Sequence, residues 1–274
     1  MWGERDQGEA IPTLLDRLNG LASRASYEYS PVRPVGDGAD MLVLSSADLA
    51  DPAAPEHARF LAVMAQKGFG DRQRLISASL ALRLGWAAGF QIGAYLLERR
   101  LPHVRSLSLV LERGLVSRVV IHDAALEDTA GLEPAERRAR MAARLHAEAA
   151  PFVRAHHDWS RLSARALFSM LESSWAGLFV TIGEAVGRSE EFAEEARAVL
   201  SAHPVLAADA PALYPVEAGG RRKTCQRRTL CCLYYRMPEA GYCGSCPILS
   251  DEDRALRQRR YVSEYGLPMA ATGG

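Results

Sequence analysis

No cysteine precedes Cys225 in this chain of 274 residues. All five cysteines fall between Cys225 and Cys246. A disulfide framework would scatter them through the fold, so the pattern points to a metal site in a reducing compartment. Net charge is lacking too, with 33 Lys and Arg against 33 Asp and Glu. Bulk nucleic-acid binding, which shows as a positive excess, is therefore not expected. No G-x-G-x-x-G follows a strand pattern and no P-loop lysine pattern occurs. A nicotinamide or flavin site is thus not apparent, and electrons for any redox role must come from outside. The opening residues, MWGERDQGEA, show no basic segment followed by an apolar core. A signal peptide is not expected, and the expected location is cytoplasmic. There are no internal repeats. A hydrophobic content of 48% and a charged content of 24% are those of an ordinary globular protein with an ample core.

What is present is a dense cysteine block. Cys231 and Cys232 are adjacent, and Cys243 and Cys246 follow in the pattern CC-x10-C-x2-C. Four thiolates are the ligand count of an iron–sulfur cluster or of a zinc site, and both accept tetrahedral thiolate sets. Ferredoxins use C-x2-C-x2-C or C-x4-C-x2-C, and zinc ribbons use two separated C-x2-C pairs. Neighbouring side chains normally point apart, so one centre bound through both Cys231 and Cys232 requires irregular backbone there. A vicinal disulfide is the third reading. Cys225, six residues before the pair, reads as a spare thiol. Rieske-type ligation is not expected, because no histidine follows Cys225.

Further residues extend the pattern. Arg227 and Arg228 precede the double cysteine, Leu233-Tyr234-Tyr235-Arg236 follows it, and Tyr242-Cys243-Gly244-x-Cys246-Pro247 closes it. The whole resembles the FhuF family of ferric siderophore reductases, which carry CC-x10-C-x2-C near the C-terminus. The resemblance covers roughly a tenth of the chain. It implies a [2Fe–2S] cluster held by Cys231, Cys232, Cys243 and Cys246, with no catalytic residues beyond these ligands. It also implies a ferric siderophore of hydroxamate type as substrate and an external donor such as a ferredoxin or flavin reductase. Hard oxygen ligands hold Fe(III) far better than Fe(II), so reduction by one electron releases the iron. Two other readings stay in play: a zinc-stapled interaction module, and an iron–sulfur carrier serving another acceptor.

The remainder reads as α+β: a mostly helical body with a small antiparallel sheet or hairpin, and four to six strands. Residues 1–204 form the body, the expected siderophore-docking region, and 205–274 the cluster-binding segment. Helical spacing marks 11–23, 55–68, 134–156, 161–187 and 189–200. Residues 27–40 read as irregular with a strand near their start, and 41–44 as a short strand. The run 76–97 is long enough to span a bilayer, but Arg83 inside it favours a buried core helix, with membrane contact at most peripheral. Its Gly85, Gly89 and Gly93 share one face and suit a close helix neighbour. Residues 106–123 carry a hairpin signal turning at Glu112-Arg113-Gly114. The Ala- and Pro-rich 202–220 reads as a boundary.

Two more features bear on chemistry. His156-His157 sits at an expected helix end, where histidine is favoured without a catalytic role. Residues 221–236 hold six cations (Arg221, Arg222, Lys223, Arg227, Arg228 and Arg236) and no acid. That block reads as a tuner of the cluster or a docking edge for an acidic donor. Tyr234, Tyr235 and Tyr242 read as packing around the centre.

Overall fold

A computed structural model describes residues 4–21, 26–30 and 41–269. The irregular stretch expected over 27–40 falls mostly outside them. The architecture is α+β, with seven strands in two sheets among the described residues, more than the sequence suggested. Helix α1 (Glu4–Leu21) leads to β1 (Ser26–Tyr29), and β2 (Met41–Ser45) to the short α2 (Ser46–Leu49). Then come α3 (Pro55–Gln66), α4 (Gln73–Ala87) and α5 (Gly89–Glu98). The first sheet is completed by β3 (Arg100–Glu112) and β4 (Leu115–Asp128), in the order β1-β4-β3-β2 with only β1 and β4 parallel. The β3–β4 hairpin turns at Arg113 and Gly114, with φ of 51° and 74°. Two consecutive positive φ values give the turn whose twist matches paired strands.

The helical body follows with α6 (Pro134–Ser160), α7 (Ala164–Ala185), α8 (Ser189–Ser201) and α9 (Pro204–Ala207). Pro134 stands in the first turn of α6, where its missing N–H costs nothing. Helix α7 is the hub: Leu167, Leu171, Trp175, Phe179 and Ile182 are all buried. Two stretches, Gln73–Glu98 and Ala164–Ala185, are long and apolar enough to cross a membrane, yet 72% and 89% of their apolar windows are buried within the protein. They serve as core helices. The first is broken at Ala88 into α4 and α5. The three glycines do not serve a single neighbour. A Cβ on Gly85 would lie 2.5 Å from Ser174 Cβ and 3.0 Å from the Leu171 carbonyl oxygen, so α4 and α7 meet closely there. Gly89 instead receives the Tyr27 side chain, and Gly93 the Leu18 side chain.

The stretch 202–220 is structured rather than a plain boundary. It holds α9 and β5 (Ala212–Ala218), which pairs antiparallel with β6 (Arg221–Arg227). Gly219 and Gly220, with φ of 58° and 70°, are the hairpin turn between them. Pro215 is tolerated because β5 is an edge strand in the order β5-β6-β7. After the cysteine loop, α10 (Asp251–Tyr265) packs on β5 and β6, and β7 (Leu267–Pro268) closes the small sheet.

Candidate metal centre

Strand β6 delivers the chain into a loop whose one regular turn is a 3-10 turn at Tyr234–Arg236. The Arg228 amide bonds the Ser245 carbonyl at 2.9 Å, tying the loop's two ends together. The Cys246 amide reaches the Cys243 carbonyl at 2.9 Å and closes a turn over Gly244 and Ser245. The expected irregular backbone falls just after the vicinal pair: Leu233 has φ of 62°. A non-glycine residue in the left-handed region costs on the order of 1 kcal/mol. In return, the Leu233 amide lies 3.4 Å from Cys231 Sγ, a donor aimed at sulfur.

These turns bring the four cysteines together. Cys231 Sγ and Cys246 Sγ are 3.8 Å apart, and Cys232 interacts with the Cys231 and Cys243 thiols. Ser245 Oγ lies 3.7 Å from Cys243 Sγ. The shared thiol hydrogen bonds push the Cys232 thiol far below the ordinary range and those of Cys231 and Cys243 far above it. Cys232 and Cys246 are buried, while Cys231 and Cys243 are half-buried. Cys225 stands apart on β6. Burial pushes its thiol up to about 11, so it stays protonated.

Arg228 decides whether this set suits an anionic group. Its Nε and Nη1 are buried without a hydrogen-bond partner among the described residues. Burial opposes its charge, but Cys232, Cys243 and Cys231 outweigh that and hold its pKa above the ordinary value. A guanidinium with two buried, unbonded nitrogens is costly. Against four thiolates and a cluster of net negative charge it gains its counter-charge. The residues present therefore fit a four-thiolate iron–sulfur group.

Most of the rest of the basic block is paired. Arg222 pairs with Glu190 and Glu217, Lys223 with Glu184, and Arg227 with Asp251. Arg221 donates to the Gly266 carbonyl at 2.9 Å. The acids absent from the local sequence arrive from α7, α8, β5 and α10. Arg236 is exposed and lies 5.8 Å over the Tyr235 ring. Tyr235 and Tyr242 pack with ring centroids 4.9 Å apart, and Tyr234 is exposed.

Helix α10 supplies residues that the sequence reading passed over. Buried Arg254 donates to the carbonyls of Cys246, at 3.3 and 3.4 Å, and Leu249, at 2.6 Å. Arg257 donates to the Tyr242 carbonyl at 2.6 Å, and Gln258 to those of Gly244 and Gln226 at 3.0 and 3.1 Å. Ser250 before the acidic Asp251-Glu252-Asp253 was an available signal for this helix, since it caps the first turn through Asp253 N. The histidine pair, by contrast, lies elsewhere. His156 is buried in the body, bonded to Ser77 at 2.9 Å and 5.2 Å from the His57 ring. His157 bonds the Leu162 carbonyl just past the end of α6.

Beside the loop lies a cavity of about 640 Å³ between α4, α7, β6 and α10, with Gly244 and Ser245 in its wall.

Residues 228–247 match the family described as the FhuF 2Fe-2S C-terminal domain. No curated protein and no solved structure matches the chain. The positions of Cys231, Cys232, Cys243 and Cys246 fit the motif of that domain, so the loop is an FhuF-type segment whose cofactor is a [2Fe–2S] cluster.

Proposed function

We propose that this protein is a cytoplasmic ferric-siderophore reductase. Cys231, Cys232, Cys243 and Cys246 are the ligands in this reading, and residues 205–274 form the cluster-binding segment on a body of residues 1–204. The observation that carries it is the gathering of the four cysteines in one loop with the Arg228 guanidinium beside Cys231, Cys232 and Cys243, within residues that match the FhuF domain. Those four cysteines would hold a [2Fe–2S] cluster, which would supply one-electron chemistry between an external donor and the chelated Fe(III).

The chain's own residues do the rest. Arg228 sets a positive charge against the sulfurs, and the Leu233 amide and Ser245 hydroxyl lie against Cys231 and Cys243. These groups favour added negative charge at the centre. Arg254, Arg257 and Gln258 hold the loop's carbonyls and so its shape. Fe(III) is reduced to Fe(II), the donor is oxidised, and the hard oxygen ligands lose their grip on the metal. The clustering of all five cysteines between Cys225 and Cys246, where a disulfide framework would scatter them, supports a reducing compartment.

The test is an anaerobic absorption spectrum and iron assay, followed by titration of the dithionite-reduced protein with a ferric trihydroxamate. Cys243→Ser is expected to lose the cluster and Cys225→Ser to keep it. A colourless protein with stoichiometric zinc, or equal cluster loss in both variants, refutes the assignment. Reduction of a protein partner but of no ferric siderophore would make it an electron carrier instead.

A further inference from the structure

Resting on the reductase reading, we propose that the cavity of about 640 Å³ beside the cysteine loop is where the ferric chelate binds. Its volume falls within the range of about 300–1,000 Å³ typical of small-molecule sites. The other large cavity, about 960 Å³, is lined by residues of α2, α4 to α6, β3, β4 and α7, and by none of the cysteine loop. The smaller cavity has Gly244 and Ser245 in its wall, the two residues between Cys243 and Cys246. Ser245 Oγ is 3.7 Å from Cys243 Sγ, so a molecule seated there is separated from a ligand sulfur by one side chain. Electron transfer weakens steeply with distance, and the 960 Å³ cavity does not meet this condition.

The lining also selects a kind of chelate. Trp86, Tyr261 and Tyr265 offer aromatic faces to the alkyl arms of a siderophore. The charge is nearly balanced: Lys223 is paired with Glu184, and Arg257, held on the Tyr242 carbonyl, has no acid partner among the described residues. Three hydroxamates on Fe(III) make a neutral complex, which this lining accommodates. Three catecholates make a trianion, whose dehydration one arginine does not offset.

The test uses the gallium(III) complex of a linear trihydroxamate, which has the ferric complex's charge but is not reduced, titrated calorimetrically into the cluster-loaded protein. Gly177 lines the cavity, and a Cβ there would meet only the Trp86 ring, at 3.8 and 3.9 Å. Gly177→Leu therefore fills the cavity without a backbone clash. It is expected to weaken the gallium complex at least about tenfold, as is Tyr261→Ala, with iron content and spectrum reporting an intact fold; tenfold corresponds to about 1.4 kcal/mol. The gallium tris-catecholate is expected to bind at least about tenfold more weakly than the trihydroxamate. Wild-type affinity in both variants, or no binding by the wild type, overturns the site. Equal or tighter binding of the catecholate overturns the charge selection. If both variants reduce the ferric complex with an unchanged KM, the site fails and the reductase reading stands. If the gallium complex binds and both variants weaken it, but the ferric complex is never reduced, the site stands and the reductase reading fails.

Discussion

Replacing Arg228 by glutamine is expected to lower the midpoint potential of the bound cluster. Arg228 is the one cation of the basic block whose side chain is buried against the sulfurs, with Cys232 within hydrogen-bonding reach. Its charge acts on the electron that the reduced centre gains. For unit charges about 5 Å apart at an effective dielectric constant of about 20, the interaction is about 3 kcal/mol. For one electron that is about 130 mV, taking 59 mV per 1.36 kcal/mol. Loss of the hydrogen bond to sulfur acts in the same direction. Arg222, Lys223 and Arg227 already share their charge with carboxylates, so neutralising any of them is expected to move the potential far less. The assay is a spectroelectrochemical titration of cluster-loaded protein, with Arg228→Lys as the charge-conserving control. An intact cluster with an unchanged potential in Arg228→Gln refutes the reasoning. Equal drops in the Lys and Gln variants show that guanidinium geometry, not charge, was responsible.

Glu172 is fully buried, neither carboxyl oxygen has a partner among the described residues, and burial followed by Asp209 raises its pKa from 4.5 to about 8. The folded state therefore holds a proton that the unfolded state has lost: the contribution is full below pH 4.5 and is lost as pH rises through about 8. By pH 7 this amounts to about 3 kcal/mol, so Glu172→Gln is expected to flatten the fall in denaturant midpoint between pH 5 and pH 8; parallel curves for both proteins refute it. Arg254→Ala leaves the Cys246 and Leu249 carbonyls unpaired, at a cost of about 3 kcal/mol for two charge-assisted bonds. It is expected to shorten the lifetime of the cluster against a chelator several-fold, and an unchanged bleaching rate sinks that role.

The cysteine motif was legible because metal-ligand spacing is a local property of the chain. The body helices were legible for a similar reason: α3, α6, α7 and α8 carry their apolar periodicity and start signals within themselves. Charge was not. Residues 221–236 read as an uncompensated basic block, yet Glu184, Glu190 and Asp251 come to it from three different helices. Such pairing exists only once β6 is packed. Even so, one clue lay in the sequence. Neighbouring side chains in extended chain face opposite ways, so of Arg227 and Arg228 at the end of β6 one is directed inward. The structure turns Arg227 outward to Asp251 and Arg228 towards the sulfurs. The edge strand β5 was hidden by Pro215 and by alanines that carry no strand pattern.

The contacts of α10 change what counts as the working unit. A loop of this length with a single regular turn leaves its backbone carbonyls without ladder partners, and buried ones must be satisfied. Arg254, Arg257 and Gln258 do this from one helix, at positions i, i+3 and i+4, which share a face. Each reaches a carbonyl of Cys246, Tyr242 or Gly244, all in or beside the C-x2-C half of the motif. The C-x2-C half is therefore shaped by protein contacts, whereas the Cys231–Cys232 half depends on the left-handed turn at Leu233 and on Arg228. This asymmetry gives the two halves different sensitivities. Changes in α10 act on the shape of the loop. Changes at Arg228 act on the charge the sulfurs feel. The matched segment ends at 247, but the structure that holds it runs on to Tyr265.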